Sequence, residues 1–187
     1  MSEKVRAFLS IDINDDSLLA NILQIQQQLD RKSAKMKLVE RENIHFTWRF
    51  FGDTTLDQIE EIHSELAQLE IEPFTVDIGG VGAFPSKKRP RVIWIGVQQG
   101  IEHMRELKTR TDLLLANVGY AIERKKFIPH ATIARVRDVY DPDRILHSLQ
   151  DLSEVPAGTM NVIGVRMTKS TLTPSGPIYE TLWEVSS

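Results

Sequence analysis

The sequence predicts an α+β fold with two lobes facing each other across a central cleft. Three observations carry this reading. Short runs of alternating apolar residues recur between stretches of helical spacing along the whole chain. Few connections have the length of the crossovers that a doubly wound parallel sheet needs. Two strand-like segments, 85 residues apart, carry the same His-x-Thr pattern: Ile44-His45-Phe46-Thr47-Trp48-Arg49-Phe50-Phe51 and Ile128-Pro129-His130-Ala131-Thr132-Ile133-Ala134-Arg135. No low-complexity linker divides them. Residues 1–187 are therefore expected to form a single bilobed domain of two weakly similar halves, each carrying one motif.

Each element has a local reason. Val5, Ala7, Leu9, Ile11 and Ile13 alternate as a strand. Asn14 and the pair Asp15-Asp16 then open a helix whose stripe is Leu18, Leu19, Ile22, Leu23, Ile25 and Leu29. Residues 36–40 make a second strand, and Glu42-Asn43 turns into the first His-x-Thr strand, which Gly52-Asp53 should end. A helix over residues 56–70 follows, with Thr54 and Asp57 at capping-box spacing. Pro73 precedes a strand through Ile78, and residues 91–97 read as another. Between them, Gly79-Gly80-Val81-Gly82 lacks the Lys-Ser/Thr of a phosphate loop and reads as a turn or bulge. Residues 101–118 are helical, with Gly119 as the residue after the cap. A short strand over 120–123 precedes the second motif. Asp141-Pro142 starts a short helix, and residues 161–172 and 178–185 make two last strands.

Composition removes several function classes. The chain has no cysteine, so thiolate catalysis, disulfides and Cys-based zinc sites are excluded. A net charge of −3 excludes a protein that coats long nucleic acid. Three local basic clusters remain: Arg31-Lys32 with Lys35 and Lys37, Lys87-Lys88-Arg89 with Arg91, and Arg124-Lys125-Lys126. Such clusters suit a protein that grips one end of an RNA. No apolar stretch has the length of a signal peptide core or a membrane span, so no membrane partner is expected. The expected setting is cytoplasmic, and the expected state a monomer.

In a strand every second side chain shares a face, so His45, Thr47 and Arg49 should stand in one row. His130 and Thr132 share a face of the second strand, whereas Arg135 falls on the other parity unless a bulge re-aims it. If the rows face each other, two imidazoles can give and take a proton near neutrality. Two threonine hydroxyls can donate to the nonbridging oxygens of an anion between them. That is a site for phosphodiester chemistry. The expected catalytic residues are His45 and His130, and the expected substrate-binding residues are Thr47, Thr132, Arg49 and Arg135. His63, His103 and His147 lie in helical patterns and read as structural. No cofactor is expected. No metal is expected either, because the sequence lacks a His-Glu-x-x-His or an Asp-rich cluster. A Gly-x-Ser-x-Gly elbow is also absent.

The two tetrads His45-Phe46-Thr47-Trp48 and His130-Ala131-Thr132-Ile133 resemble the double motif of the 2H phosphoesterase superfamily. Their surroundings resemble its RNA 2′,3′-cyclic phosphodiesterase branch, also called the 2′-5′ RNA ligase family. These are Arg6-Ala7-Phe8-Leu9-Ser10-Ile11-Asp12, Arg89-Pro90-Arg91-Val92-Ile93-Trp94, Phe127-Ile128-Pro129 and the tail from Lys169 to Glu180. The resemblance implies a 2H phosphoesterase-like fold of two pseudo-symmetric, antiparallel-sheet-plus-helix lobes. It implies metal-independent hydrolysis of an RNA terminal 2′,3′-cyclic phosphate to a 2′-phosphate, and in some members reversible 2′-5′ joining of tRNA halves. It also implies that His130 is the base and His45 the acid. Trp48 and Arg49 depart from the Leu and Lys more usual there. Two alternatives stay open: a noncatalytic RNA-end binding module, and a 2H phosphodiesterase acting on another cyclic phosphate or an RNA tail.

Overall fold

The computed structural model describes residues 3–187. Nine strands and four helices follow in the order β1 (Lys4–Asp12), α1 (Asp16–Gln27), β2 (Ala34–Leu38), β3 (His45–Thr55), α2 (Leu56–Leu66), β4 (Phe74–Phe84), β5 (Val92–Gln99), α3 (Ile101–Asn117), β6 (His130–Val139), α4 (Pro142–Asp151), β7 (Pro156–Val162), β8 (Gly164–Thr173) and β9 (Gly176–Ser186). Every strand pairing is antiparallel, and the sheet runs β7-β4-β5-β6-β3-β1-β8-β9, with β2 also paired to β6. No helix among the described residues is long and apolar enough to cross a membrane.

The strand order carries the two lobes. Outward from the first motif run β3, β1, β8 and β9; outward from the second run β6, β5, β4 and β7. The two sets meet at one register pair, Phe46 with Ala131. The chain crosses between them, because β4 joins the second set and β8 the first. One apolar layer therefore serves both. Phe46, Ala131 and Ile133 are fully buried, and Trp48 nearly so, on the face that α3 covers through a Trp48 Nε1 hydrogen bond to Thr111 Oγ1 at 3.2 Å. Truncating Trp48 to alanine would cost about 3–5 kcal/mol.

Several expectations are corrected. Thr55 caps α2 with Gln58, because Thr54 turns inward to the Gly52 carbonyl. The β3 strand runs on past Gly52, whose φ of 75° sits beside a bulge at Phe51. Residues 120–129 form no strand. The stretch over 161–172 is two strands broken at Ile163, and β7 begins earlier than expected. Pro156 and Gly158 disguise it, yet Pro is tolerated as the first residue of an edge strand, which β7 is. Gly80, at φ 73°, is the extra residue of a bulge in β4, as the glycine run suggests.

Candidate active site

The register pair decides which side chains meet. Phe46 and Ala131 oppose each other and point to the helices. Their neighbours on both sides therefore point the other way. Antiparallel pairing sets His45 across from Thr132 and Thr47 across from His130. Each histidine thus faces the threonine of the other lobe.

The two rings are held alike. His45 Nδ1 lies 2.9 Å from the Asn43 carbonyl, and His130 Nδ1 lies 2.7 Å from the Ile128 carbonyl, in each case two residues back. A carbonyl only accepts, so each Nδ1 carries a proton and donates it. In the neutral imidazoles Nε2 is then left with its lone pair. That of His45 sits 3.1 Å from Thr47 Oγ1, which can donate to it. Aromatic rings fix both imidazoles. Phe8 stacks on His45 at 5.0 Å and Tyr179 meets its edge at 5.2 Å. Phe84 and Trp94 stand 5.0 and 5.8 Å from His130.

Burial pushes the His45 pKa below the usual imidazole value, and the charges of Arg135 and His130 push it the same way. The Asn43 carbonyl and the Asp12 carboxylate oppose the shift.

Beyond each threonine, a bulge changes the parity. In β3, Thr47 pairs with Ser10 and Arg49 with Leu9, so Trp48 is an extra residue. Trp48 and Arg49 both turn to α3, and Phe50 comes round to the cleft. In β6, Thr132 pairs with Trp94 and Ala134 with Ile93, so Ile133 is extra. Ile133 and Ala134 are buried, and Arg135 enters the cleft. The expectation for Arg49 is therefore overturned. Its guanidinium lies behind the sheet, 3.2 Å from Asp112 Oδ1 and 2.8 Å from the Ala121 carbonyl. Arg135 is re-aimed by a bulge, the one condition under which its parity allowed it.

The cleft lined by His45, Thr47, Thr132 and Arg135 has a volume of about 420 Å³, within the range of small-ligand sites; His130 is not among its lining residues. Thr47, Thr132, Arg135, Phe50 and Tyr179 all contribute to it beside His45. Two separate stretches, residues 11–94 and 95–179, match the LigT-like phosphoesterase profile. The chain belongs to that family. It is 36% identical over 178 residues to a Methanothermobacter thermautotrophicus protein named RNA 2′,3′-cyclic phosphodiesterase, covering 94% of this chain and 95% of the relative. An Aeropyrum pernix protein of the same name is 33% identical over 170 residues, covering 91% and 97%. Among solved structures, E. coli LigT complexed with 3′-AMP superposes with a TM-score of 0.76 at 19% identity, covering 98% of both chains. A Thermus thermophilus protein superposes with a TM-score of 0.71 at 25% identity, covering 97% of both.

In this LigT-like chain, the His-x-Thr reading misses the aromatic frame and Arg6. Phe8 and Arg6 share strand parity with Ser10, a signal that points to the site only through the β1–β3 pairing. Tyr179 lies in the tail from Lys169 to Glu180 that carries the resemblance, but alternation does not place it in the site, because only the β8–β9 pairing carries it to His45.

Proposed function

We propose that this LigT-like phosphoesterase hydrolyses the 2′,3′-cyclic phosphate at an RNA end to a 2′-phosphate. The observation that carries the reading is the matched pair of imidazoles, each held by an Nδ1–H bond to the carbonyl two residues back. A binding module has no need of two proton carriers in the same tautomer. Neutral His130 takes a proton from water through Nε2. The water oxygen bonds to phosphorus as the bond from phosphorus to O3′ breaks, and the form of His45 that also carries a proton on Nε2, to which Thr47 no longer donates, gives that proton to O3′. The products are a 2′-phosphate and a 3′-hydroxyl. Thr47 and Thr132 donate to the nonbridging oxygens, and Arg135 balances their charge. Phe50, half exposed on the cleft face, offers a ring on which the terminal base stacks.

The reaction assigns no step to a metal. The same geometry with an RNA 5′-hydroxyl in place of water would join tRNA halves through a 2′-5′ bond. We take the chain to act as a monomer, since the strands of one chain supply both motifs, and to work in the cytoplasm, in keeping with its lack of cysteine. We also take it as one bilobed domain of two half-repeats, a reading supported by the two profile matches. The test is turnover of a nucleoside 2′,3′-cyclic phosphate in EDTA, with the product identified by phosphorus NMR. A 2′-phosphate is expected. A 3′-phosphate, or no turnover without an added divalent ion, would overturn the proposal.

A further inference from the structure

Most arginines with defined contacts in this fold are spoken for. Arg41, Arg49, Arg144 and Arg166 each pair with a carboxylate. Arg6 and Arg135 both line the cleft, and among the described residues neither has an ion pair or a side-chain hydrogen bond. The Arg6 guanidinium lies 4.7 Å over the Phe50 ring. Both arginines act on the Tyr179 hydroxyl, whose pKa burial raises while Arg135 and Arg6 pull it down. Two unpaired guanidinium groups therefore share one cleft.

A cyclic phosphate diester carries a single negative charge. Thr47, Thr132 and Arg135 converge on it, so Arg6 is in excess. Arg6 also starts from the wrong place. On β1, Ser10 pairs with Thr47, while Arg6 pairs with Asp53 and Ser170 at the outer end of the cleft. Four residues of strand put its backbone about 13 Å beyond Ser10. Its backbone lies two residues beyond Phe8, the partner of Phe50, and its guanidinium covers the outer part of the ring we assign to the terminal base. The next anion in that direction along an RNA is the linkage leading to the preceding nucleotide. We propose that Arg6 takes the phosphodiester on the 5′ side of the terminal nucleotide, so that the cleft prefers RNA ends of two nucleotides or more over a lone nucleotide. The inference rests on the cyclic-phosphate reading above.

The test uses three substrates ending in a 2′,3′-cyclic phosphate. One is a mononucleoside, one a dinucleotide with a 2′-deoxy upstream residue, and one the same dinucleotide with an uncharged methylphosphonate linkage. A charge-assisted contact predicts that the charged dinucleotide exceeds the mononucleoside in kcat/KM by about 10- to 150-fold. The neutral linkage should remove most of that advantage. Arg6→Gln should remove it too, and Arg6→Lys should restore part of it. The variant and the neutral linkage together should cost no more than either alone. If the neutral linkage keeps the advantage, or Arg6→Gln slows all three substrates equally, Arg6 does not read this phosphate. Absence of turnover with every substrate would instead overturn the cyclic-phosphate reading itself, and this inference with it.

Discussion

Phe50 and Arg135 occupy the same place in the two lobes: each stands five residues past a motif histidine, and in each strand a bulge turns that residue into the cleft. The pair breaks the near-symmetry of the site. Both lobes supply an imidazole and a hydroxyl, but one then supplies a cation and the other an aromatic ring. On the reading proposed above, the cation takes the phosphate and the ring takes the base, and this difference sets the direction of the substrate across the cleft.

Arg135→Gln should therefore lower kcat/KM by about 10²- to 10³-fold, the scale for losing one preorganised transition-state donor. It should also raise the His45 pKa, because burial is the largest cause of its depression but the Arg135 charge adds to it. The linkage follows the usual sign. A depressed imidazole pKa contributes stability above the unfolded value near 6.5, and that contribution is lost as pH falls through the folded value. Arg135→Gln should thus lose less stability on acidification. NMR titration of His45 in both proteins checks this, and an unchanged His45 pKa would place Arg135 too far away to matter.

Arg49→Met tests the corrected position. Arg49 joins Asp112 on α3 to the Ala121 carbonyl in the segment before His130. Lys108 holds Asp112 at 2.6 Å and Glu123 at 2.7 Å in the same group. Phe127 meets the Trp48 ring at 5.0 Å. The loss of one charged partner should cost about 1–3 kcal/mol in denaturant unfolding. It should lower kcat more than it raises KM, because the segment carrying His130 loosens while the phosphate contacts stay. Arg49→Lys keeps the charge without the fork and should fall between. A rise in KM with unchanged stability would return Arg49 to the cleft.

That His45 shares a face with Thr47, and His130 with Thr132, is legible because strand alternation is local: Phe46 between His45 and Thr47 is enough to set their face. Past the threonines, local parity fails. The extra residues Trp48 and Ile133 are defined only by their partners on β1 and β5, and nothing in their own identity marks a bulge. Parity alone therefore sends Arg49 into the cleft and Phe50 into the core, the reverse of their positions. Residues 120–123 read as a strand for a related reason. Ala121 and Glu123 alternate plausibly with their neighbours, but their polar groups are satisfied by Arg49 and Lys108, which come from distant elements.

Thr47→Val and Thr132→Val separate two jobs. Each removes a hydroxyl proposed to donate to the phosphate, and each should slow turnover by about 10- to 150-fold. Thr47 also lies beside Nε2 of His45, so its loss should in addition change the His45 titration. Thr132→Val should leave that titration alone. Both sites have some solvent exposure, so thermal unfolding should change little. Unchanged kinetics in both variants would reduce the threonines to ordinary β-branched strand residues.

The assignment of acid and base is testable through the leaving group. His45→Ala and His130→Ala should each lower turnover by roughly 10²- to 10⁴-fold with an ordinary cyclic phosphate. An alkoxide leaves poorly without a proton, whereas a thiolate leaves well unprotonated. A cyclic substrate with sulfur at the bridging 3′ position should therefore restore much of the activity of His45→Ala, whose missing proton is no longer needed. It should do little for His130→Ala, where water still lacks its base. Rescue of His130→Ala alone would exchange the two roles. Equal rescue of both would mean that neither imidazole serves as a dedicated acid, and the common Nδ1–H anchoring would then mark two interchangeable groups.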